Sequence, residues 1–416
     1  MKFKKSAKEV RKTMTEDRND LPLSGIRVLE LSLAVMGPTC GLILADMGAE
    51  VIRVERTPDG DETRRLKGFG TGFFPFLNRN KKSIAIDLKS DRGRDVLRKL
   101  ILSADVFLEN FAPGTIERLG FGYDRVSQMN PRLIYCALKG FMPGPYEKRP
   151  ALDEVVQMMA GLAYMTGPLG QPLRAGASVV DIMGGMYGVI AIMTALYERE
   201  KTGKGQPVIS TLFEATAFMM GQHMAVAAIT GKPSPPMPNR VSAWAIYDRF
   251  ETKEGETVFV GVISDRHWER FCETFGLMAL GADKRLSTNN DRVSQRSWLI
   301  PKVQKVFKTM TKQELFKLCE EAGIPFAPVA KPEELFEDPQ LNEGGSLLET
   351  TLPGGIKTKL PRIPIRIGSY DFGLRNDPPE VGQDCQELLE SIGLSPDEIA
   401  ELKREKIVVS SVKESI

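Results

Sequence analysis

Short β-branched runs recur through the first third of the chain: IRVLEL (Ile26 to Leu31), EVIRVE (Glu50 to Glu55), SIAIDL (Ser83 to Leu88), DVFLEN (Asp105 to Asn110) and RLIYCAL (Arg132 to Leu138). Each has the length of a strand. Helical patterns such as PTCGLILADMG and DRGRDVLRKLILSA lie between several of them, and this alternation predicts an α/β fold built on an open, parallel, Rossmann-like sheet. After Ala151 the pattern becomes helical, in ALDEVVQMMAGLAYM, DIMGGMYGVIAIMTALYERE and STLFEATAFMMGQHMAVAAI, with the turn KTGKGQP between the second and third. These predict helices that cover the sheet.

TGKPSPPMPNR (Thr230 to Arg240) holds four prolines in eleven residues, which suits a linker. From Trp244 to about Val329 a smaller α+β unit is expected, with strands in AIYDRFET and ETVFVGVI and helices near Trp268 to Phe275, Ser297 to Lys308 and Thr311 to Ala322. Near the C-terminus, SPDEIAELKREKI opens on a helix-start signal.

Composition narrows the function classes. Fifty-six Lys and Arg against fifty-four Asp and Glu leave a net charge of +2, so the overall balance makes no electrostatic case for nucleic acid or an anionic membrane surface. The five cysteines, Cys40, Cys136, Cys272, Cys319 and Cys385, are scattered and never form a C-x-x-C pair. That argues against a disulfide framework and a zinc site, and for the reducing cytoplasm. MKFKKSAKEVRKTMTEDRND is charged throughout and reads as a solvated, flexible extension over residues 1–20.

One carboxylate stands out. Asp181 immediately precedes sixteen uncharged residues, Ile182 to Tyr197, a run that falls short of the ~20 residues of a membrane span and predicts a buried core helix. On a helix beginning near Asp181, Gly184, Gly185 and Gly188 fall at i+3, i+4 and i+7 and share its face. Three glycines in a helix cost roughly 1 kcal/mol each relative to alanine, so packing or function must offset them. A helix cap with a close-packed stripe would do so, and so would a pocket for substrate beside a carboxylate withdrawn from water. Spacing leaves both open. Within SLAVMGPTCGLILADMGAEVIRVER (Ser32 to Arg56), a Gly-Pro turn sets backbone N–H groups at a helix N-terminus, a place that favours an anion. GPTCG is not G-x-G-x-x-G, GFGTGFF follows no predicted strand, and no P-loop motif is present.

Six segments in order, GPTCGLILADMGAEVIRVE, NRNKKSIAIDLKS, ADVFLENFAPGTIERLGFGYD, NPRLIYCALKGF, RPALDEVVQMMAG and the Asp181 segment, closely resemble the family III CoA-transferases, the group that includes formyl-CoA transferase, carnitine CoA-transferase and the α-methylacyl-CoA racemases. The resemblance implies a large Rossmann-like domain built from both ends of the chain (1–225 and 331–416), a small α+β domain at 226–330, and an interlaced homodimer, with a hetero-oligomer as the alternative. It implies Asp181 as catalytic nucleophile and CoA contacts from Val35, Met36, Arg56, Ile86, Lys89, Asn110, Phe111 and Arg118, with Lys139 and Arg149 nearby. No metal is expected. Arginine and lysine suit the phosphates of CoA, and apolar side chains suit adenine and pantetheine.

The implied reaction moves CoA reversibly from an acyl-CoA, with succinyl-CoA the suggested donor, to a free carboxylic acid through aspartyl anhydride and aspartyl-CoA intermediates. A mid-sized or aromatic-substituted acid is the suggested acceptor. Two alternatives stand beside it: a racemase and a non-catalytic subunit. The racemase branch carries His-Asp where this chain has Leu152-Asp153, and the two histidines, His223 and His267, lie elsewhere, as packing and surface residues respectively. Leu152 also departs from the aromatic residue common in the transferases, and no long glycine-rich lid occurs near Pro233 to Ala245, which bears on the acceptor's shape rather than on the reaction.

Overall fold

The computed structural model describes residues 21–240 and 242–410. They divide into two compact units, the smaller spanning Asn239–Pro339. The expected 1–20 extension lies outside the described residues.

The large unit begins as the sequence pattern predicts. Strands β1 (Arg27–Leu31), β2 (Glu50–Glu55), β3 (Lys81–Ile86), β4 (Val106–Glu109), β5 (Ile134–Lys139) and β6 (Pro207–Thr211) pair in parallel, with helices α1 (Met36–Asp46), α2 (Asp91–Leu102), α3 (Asp153–Met159), α4 (Val179–Thr202) and α5 (Leu212–Thr230) between or after them. Alternate strand residues feed two cores. Leu29, Ile52 and Ile84 pack against α2 on one face, whereas Val28, Val51 and Val106 pack with α1 and α4 on the other. Strand β6 is a correction: PVIST lies where the end of a turn and the start of a helix were expected, because its few residues follow KTGKGQ without an alternating pattern of their own. The expected helix over 151–165 is broken at Gly161, whose φ of 86° is left-handed and ends the run.

The small unit holds the antiparallel strands β7 (Ile246–Glu251), β8 (Thr257–Val262) and β9 (Phe326–Pro328) and helices α6 (Asp265–Thr274), α7 (Arg296–Phe307) and α8 (Lys312–Ala322), around a core that includes Phe250, Phe271 and Phe307. Its boundaries differ from the expected 226–330. The first moves because α5 runs unbroken across residue 226 to Thr230, and the second because the turn of helix at Pro332–Glu337 stays with this unit.

The chain then returns to the large unit with a hairpin, β10 (Leu347–Leu352) and β11 (Ile356–Pro361), helices α9 (Cys385–Ser391) and α10 (Pro396–Arg404), and the short β12 (Val408–Val409), which adds antiparallel to β3. The hairpin and β12 were not foreseen in the sequence. The helix start at SPDE is a full capping box between Ser395 and Glu398. The sheet order is β12-β3-β2-β1-β4-β5-β6, so the chain builds outward from β1 through β2 to β3 and then crosses back to β4 on the other side of β1, a reversal that opens a crevice at the C-terminal ends of β1 and its neighbours.

Candidate active site

Asp181 sits in the first turn of α4, which begins two residues earlier than the glycine pattern suggested. Ser178 occupies the N-cap without a side-chain bond. The cap comes instead from α3: Asp153 Oδ2 accepts the N–H groups of Val180 at 3.0 Å and Asp181 at 3.2 Å. Its other oxygen accepts from Gln157 at 2.6 Å and pairs with Arg174 at 3.3 Å. Gln157 in turn accepts the N–H of Ala175 at 2.8 Å, and Arg174 also reaches Glu154 at 3.0 Å. A buried carboxylate on one helix thus orients the first turn of another, and the segment from Arg174 to Asp181 is tied at both ends.

The Asp181 carboxyl is half-buried, and this burial pushes it up to about 7, with the charge of Asp153 acting in the same direction and Arg174 opposing them. At neutral pH it is partly ionised and poorly solvated. That state raises the reactivity of an otherwise weak carboxylate nucleophile.

The glycine face is not a substrate pocket. A Cβ on Gly184 would stand 2.6 Å from Met36 Cε, one on Gly185 2.8 Å from the Met36 carbonyl oxygen, and one on Gly188 2.8 Å from Leu138 Cδ2 and 3.3 Å from Cys40 Sγ. The glycines allow α4 to lie directly on α1, so the close-packed reading of the stripe is the correct one. Although α4 is long and apolar enough by length and composition to cross a membrane, this face, with Val189, Ile192 and Leu196, is buried in the core of the unit. The pairing of 184 with 36 and 188 with 40 also sets direction. Residue numbers rise together, so the two helices run parallel and their N-termini share one end. Asp181, one turn before Gly184 and Gly185, therefore lies at the level of the turn from β1 into α1.

That turn borders a cleft of ≈ 440 Å³ at the C-terminal ends of β1, β2 and β3. Four of the ten expected CoA contacts line it: Arg56, Ile86, Lys89 and Phe111. Arg56 and Lys89 are exposed, and Arg56 also pairs with Glu62 at 3.0 Å on the rim. Others shape the cleft from behind. Asn110 clamps Leu33, accepting its N–H and donating to its carbonyl, both at 2.8 Å, and Leu33 is itself a lining residue. The ammonium of Lys139 is held by Glu109 at 2.6 Å and the Phe111 carbonyl at 2.9 Å, so it fixes the loop that carries Phe111 instead of facing the cleft. Val35 and Met36 are buried at the start of α1. Arg118 is exposed beside the lining residue Leu119. Arg149 lies apart from the cleft lining, stacked over Tyr146 at 4.9 Å.

The GPTCG motif is explained by close approach. A Cβ on Gly37 would strike Ser32 Cβ at 2.3 Å, and one on Gly41 would overlap the Glu30 carboxylate. Sequence reasoning missed Gln157 and Arg174 as supports of Asp181, and also missed a buried charge cluster under the cleft. The signal for the cluster was present: Glu30, Arg53 and Lys81 each interrupt or open an apolar strand run, and Glu30 and Arg53 are direct neighbours in the sheet. Of the histidines, both half-buried, His223 lies on α5 and His267 on α6.

A profile for CoA-transferase family III matches residues 23–385. The chain belongs to this family. It is an enzyme of the family III CoA-transferase type, whose substrates are CoA thioesters. The acyl-CoA transferase of Fusarium pseudograminearum is 35% identical over 93% of this chain and 88% of its own length. The succinate–glutarate CoA-transferase of Agrobacterium fabrum is 33% identical over 88% of this chain and 95% of its own. Among solved structures, a CAIB/BAIF family protein from Brucella suis matches with a TM-score of 0.79 and 30% identity, covering 90% of this chain and all of that one.

Proposed function

We propose that this family III enzyme transfers CoA reversibly from an acyl-CoA to a free carboxylic acid, with Asp181 as the covalent nucleophile. The observation that carries the reading is the Asp153-capped, half-buried Asp181 carboxylate at the same end of the helices as the cleft. In the first step a carboxylate oxygen of Asp181 attacks the acyl carbonyl, the C–S bond breaks, and CoA leaves as thiolate from a mixed anhydride. The thiolate then attacks the aspartyl carbonyl, releasing the donor acid and forming aspartyl-CoA. The acceptor carboxylate attacks that thioester and expels the thiolate again, giving a second anhydride. Attack of CoA on the acceptor's acyl carbon finally frees Asp181. Each step exchanges one activated acyl bond for another, so no external energy source is needed. Exclusion of water matters because water would divert either anhydride to hydrolysis.

Succinyl-CoA is the proposed donor and a dicarboxylic acid of about glutarate size the proposed acceptor, in line with the name of the Agrobacterium relative. Mixing the protein with succinyl-CoA and a panel of free acids, and following new acyl-CoA by mass spectrometry, tests the reading. Transfer to at least one acid is expected. The absence of transfer to every acid, with the thioester consumed only by water, would overturn it.

Turnover in heavy water separates transfer from α-proton chemistry. Leu152 is 69% exposed, and its side chain offers no acid or base at the position before Asp153. Acyl groups should pass from donor to product without solvent deuterium at the α-carbon. Rapid α-deuteration without an acceptor acid would favour the racemase reading.

Arg56 and Arg118 are proposed phosphate contacts. Because both are exposed, alanine at either position is expected to raise the KM for acyl-CoA about 3- to 10-fold and leave the acceptor KM unchanged. Unchanged acyl-CoA kinetics in both variants would remove them from the CoA site.

Ile182, Met186, Ile190 and Tyr197 on α4 and Phe218, Met224 and Ile229 on α5 are exposed apolar side chains, with Ile229 at 84%. So much apolar surface on adjoining helices supports a homodimer. Light scattering should give about twice the chain's 46.1 kDa; a monomer at micromolar concentration would refute this. The five cysteines are free and buried, which accords with a cytoplasmic, reducing location.

A further inference from the structure

Beneath the cleft lies a cluster of four buried charges. Glu30, Arg53, Lys81 and Asp61 are each 3% exposed or less. Arg53 is the hub: it donates to Glu30 Oε1 at 2.7 Å, to Asn78 at 3.1 Å and to the Ser32 carbonyl at 3.1 Å, and it is ion-paired with Asp61. Lys81 meets Glu30 Oε2 at 2.8 Å and donates to the Pro38 carbonyl at 2.9 Å and to Asn78 at 3.1 Å. Ser32 Oγ donates to Glu30 at 2.7 Å. Two positive and two negative groups therefore balance, with hydrogen bonds to Asn78 and to backbone carbonyls on several of their remaining sites.

Each end of this cluster holds a different wall. Glu30, Arg53 and Lys81 grip the β1–α1 turn through Ser32 and Pro38, whereas Arg53 grips the loop after β2 through Asp61, which also accepts the N–H of Thr63 at 2.8 Å. Ser32, Leu33, Arg53, Arg56, Gly60 and Asp61 all line the same cleft. A core of well-packed apolar residues would stabilise the sheet as well as a buried ionic cluster does, so stability alone is a weak reason for one here.

We propose that Glu30, Arg53, Lys81 and Asp61 act together as a positioning device that sets the separation of the two walls of the CoA cleft. None of the four is assigned to the chemistry. The inference rests on the reading of the cleft as the CoA site, and its test separates the two.

Single removals would leave an unpaired buried charge and risk unfolding, so the test uses the charge-balanced double variant Glu30→Gln with Lys81→Met, and separately the milder Asn78→Ser. Kinetics and amide hydrogen exchange are compared with wild type. The double variant is expected to raise the acyl-CoA KM about tenfold or more, because loosening the walls misplaces the cleft's contacts, while kcat and the acceptor KM stay within about threefold. Exchange should quicken at 32–38 and 57–61 together in the free protein, and less so in Asn78→Ser. A purely structural role predicts instead a lower melting temperature with an unchanged acyl-CoA KM. That result, or exchange that leaves the two segments unaltered, overturns the proposal. If the wild-type protein binds no CoA, the reading of the cleft fails. Exchange in the free protein still reports whether the cluster couples the two segments.

Discussion

Asp181→Ala is expected to abolish CoA transfer, with a fall of about three orders of magnitude or more, while the protein still folds and binds acyl-CoA. The alanine variant keeps α4, its Asp153 cap and the glycine contacts with α1, since these involve the backbone of residue 181 and side chains elsewhere. What it loses is the carboxylate proposed to form the anhydride. Retention of more than a few per cent of wild-type turnover would sink the assignment.

The same residue carries a pH signature of definite sign. With its carboxyl held at about 7 against an ordinary 3.8, Asp181 as the proposed nucleophile attacks only when ionised, so kcat/KM should rise through about pH 7 and level above it. Stability runs the other way. Between roughly pH 4 and 7 the folded protein holds a proton that the unfolded chain has released, so this group's contribution to stability falls as pH rises through that window. Asp181→Asn, which keeps the shape and removes the charge, should therefore stabilise the protein at pH 8 by about 2 kcal/mol after allowance for solvent screening, read as a higher melting temperature. It should have little effect near pH 4. An equal change at both pH values would show that the carboxyl is not strained.

Asp153→Asn is expected to have the second-largest effect. It keeps an oxygen for the N–H groups of Val180 and Asp181, yet removes the charge that pairs with Arg174 and raises the carboxyl of Asp181. The acid limb of kcat/KM should then move below 7. Because the amide also alters the bond with Gln157, and with it the orientation of the first turn, kcat should fall about 10- to 100-fold with acyl-CoA KM little changed. An unmoved acid limb would show that Asp153 is only a helix cap. Asp153→Ala adds the loss of the cap itself, about 1 to 2 kcal/mol of stability.

Much of this was readable along the chain. Strands β1 to β5, helix α1, most of the small unit and the capping box at Ser395 announce themselves in local patterns, because apolar periodicity and cap chemistry act over only a few residues. The residues placed at the cleft were also legible: Arg56 directly follows β2, Lys89 and Phe111 lie in the loops that leave β3 and β4, and the ends of parallel strands gather along one edge. Elements whose stability comes from distant partners were not. β6 and β12 are short pieces held by β5 and β3, and neither has a pattern strong enough to stand alone.

The glycines after Asp181 show the division most clearly. Their spacing determined that one face of α4 is bare, and no more. Whether that face holds substrate or another helix depends on what lies opposite, and only the tertiary structure supplies Met36, Thr39 and Cys40 there. Likewise the sequence set a carboxylate at the head of an apolar helix, but its affinity for a proton comes from burial and from Asp153, twenty-eight positions away along the chain. Charge and hydrophobic pattern are local properties. Desolvation and pairing are set by groups that the fold alone brings together, and they decide what the carboxylate does.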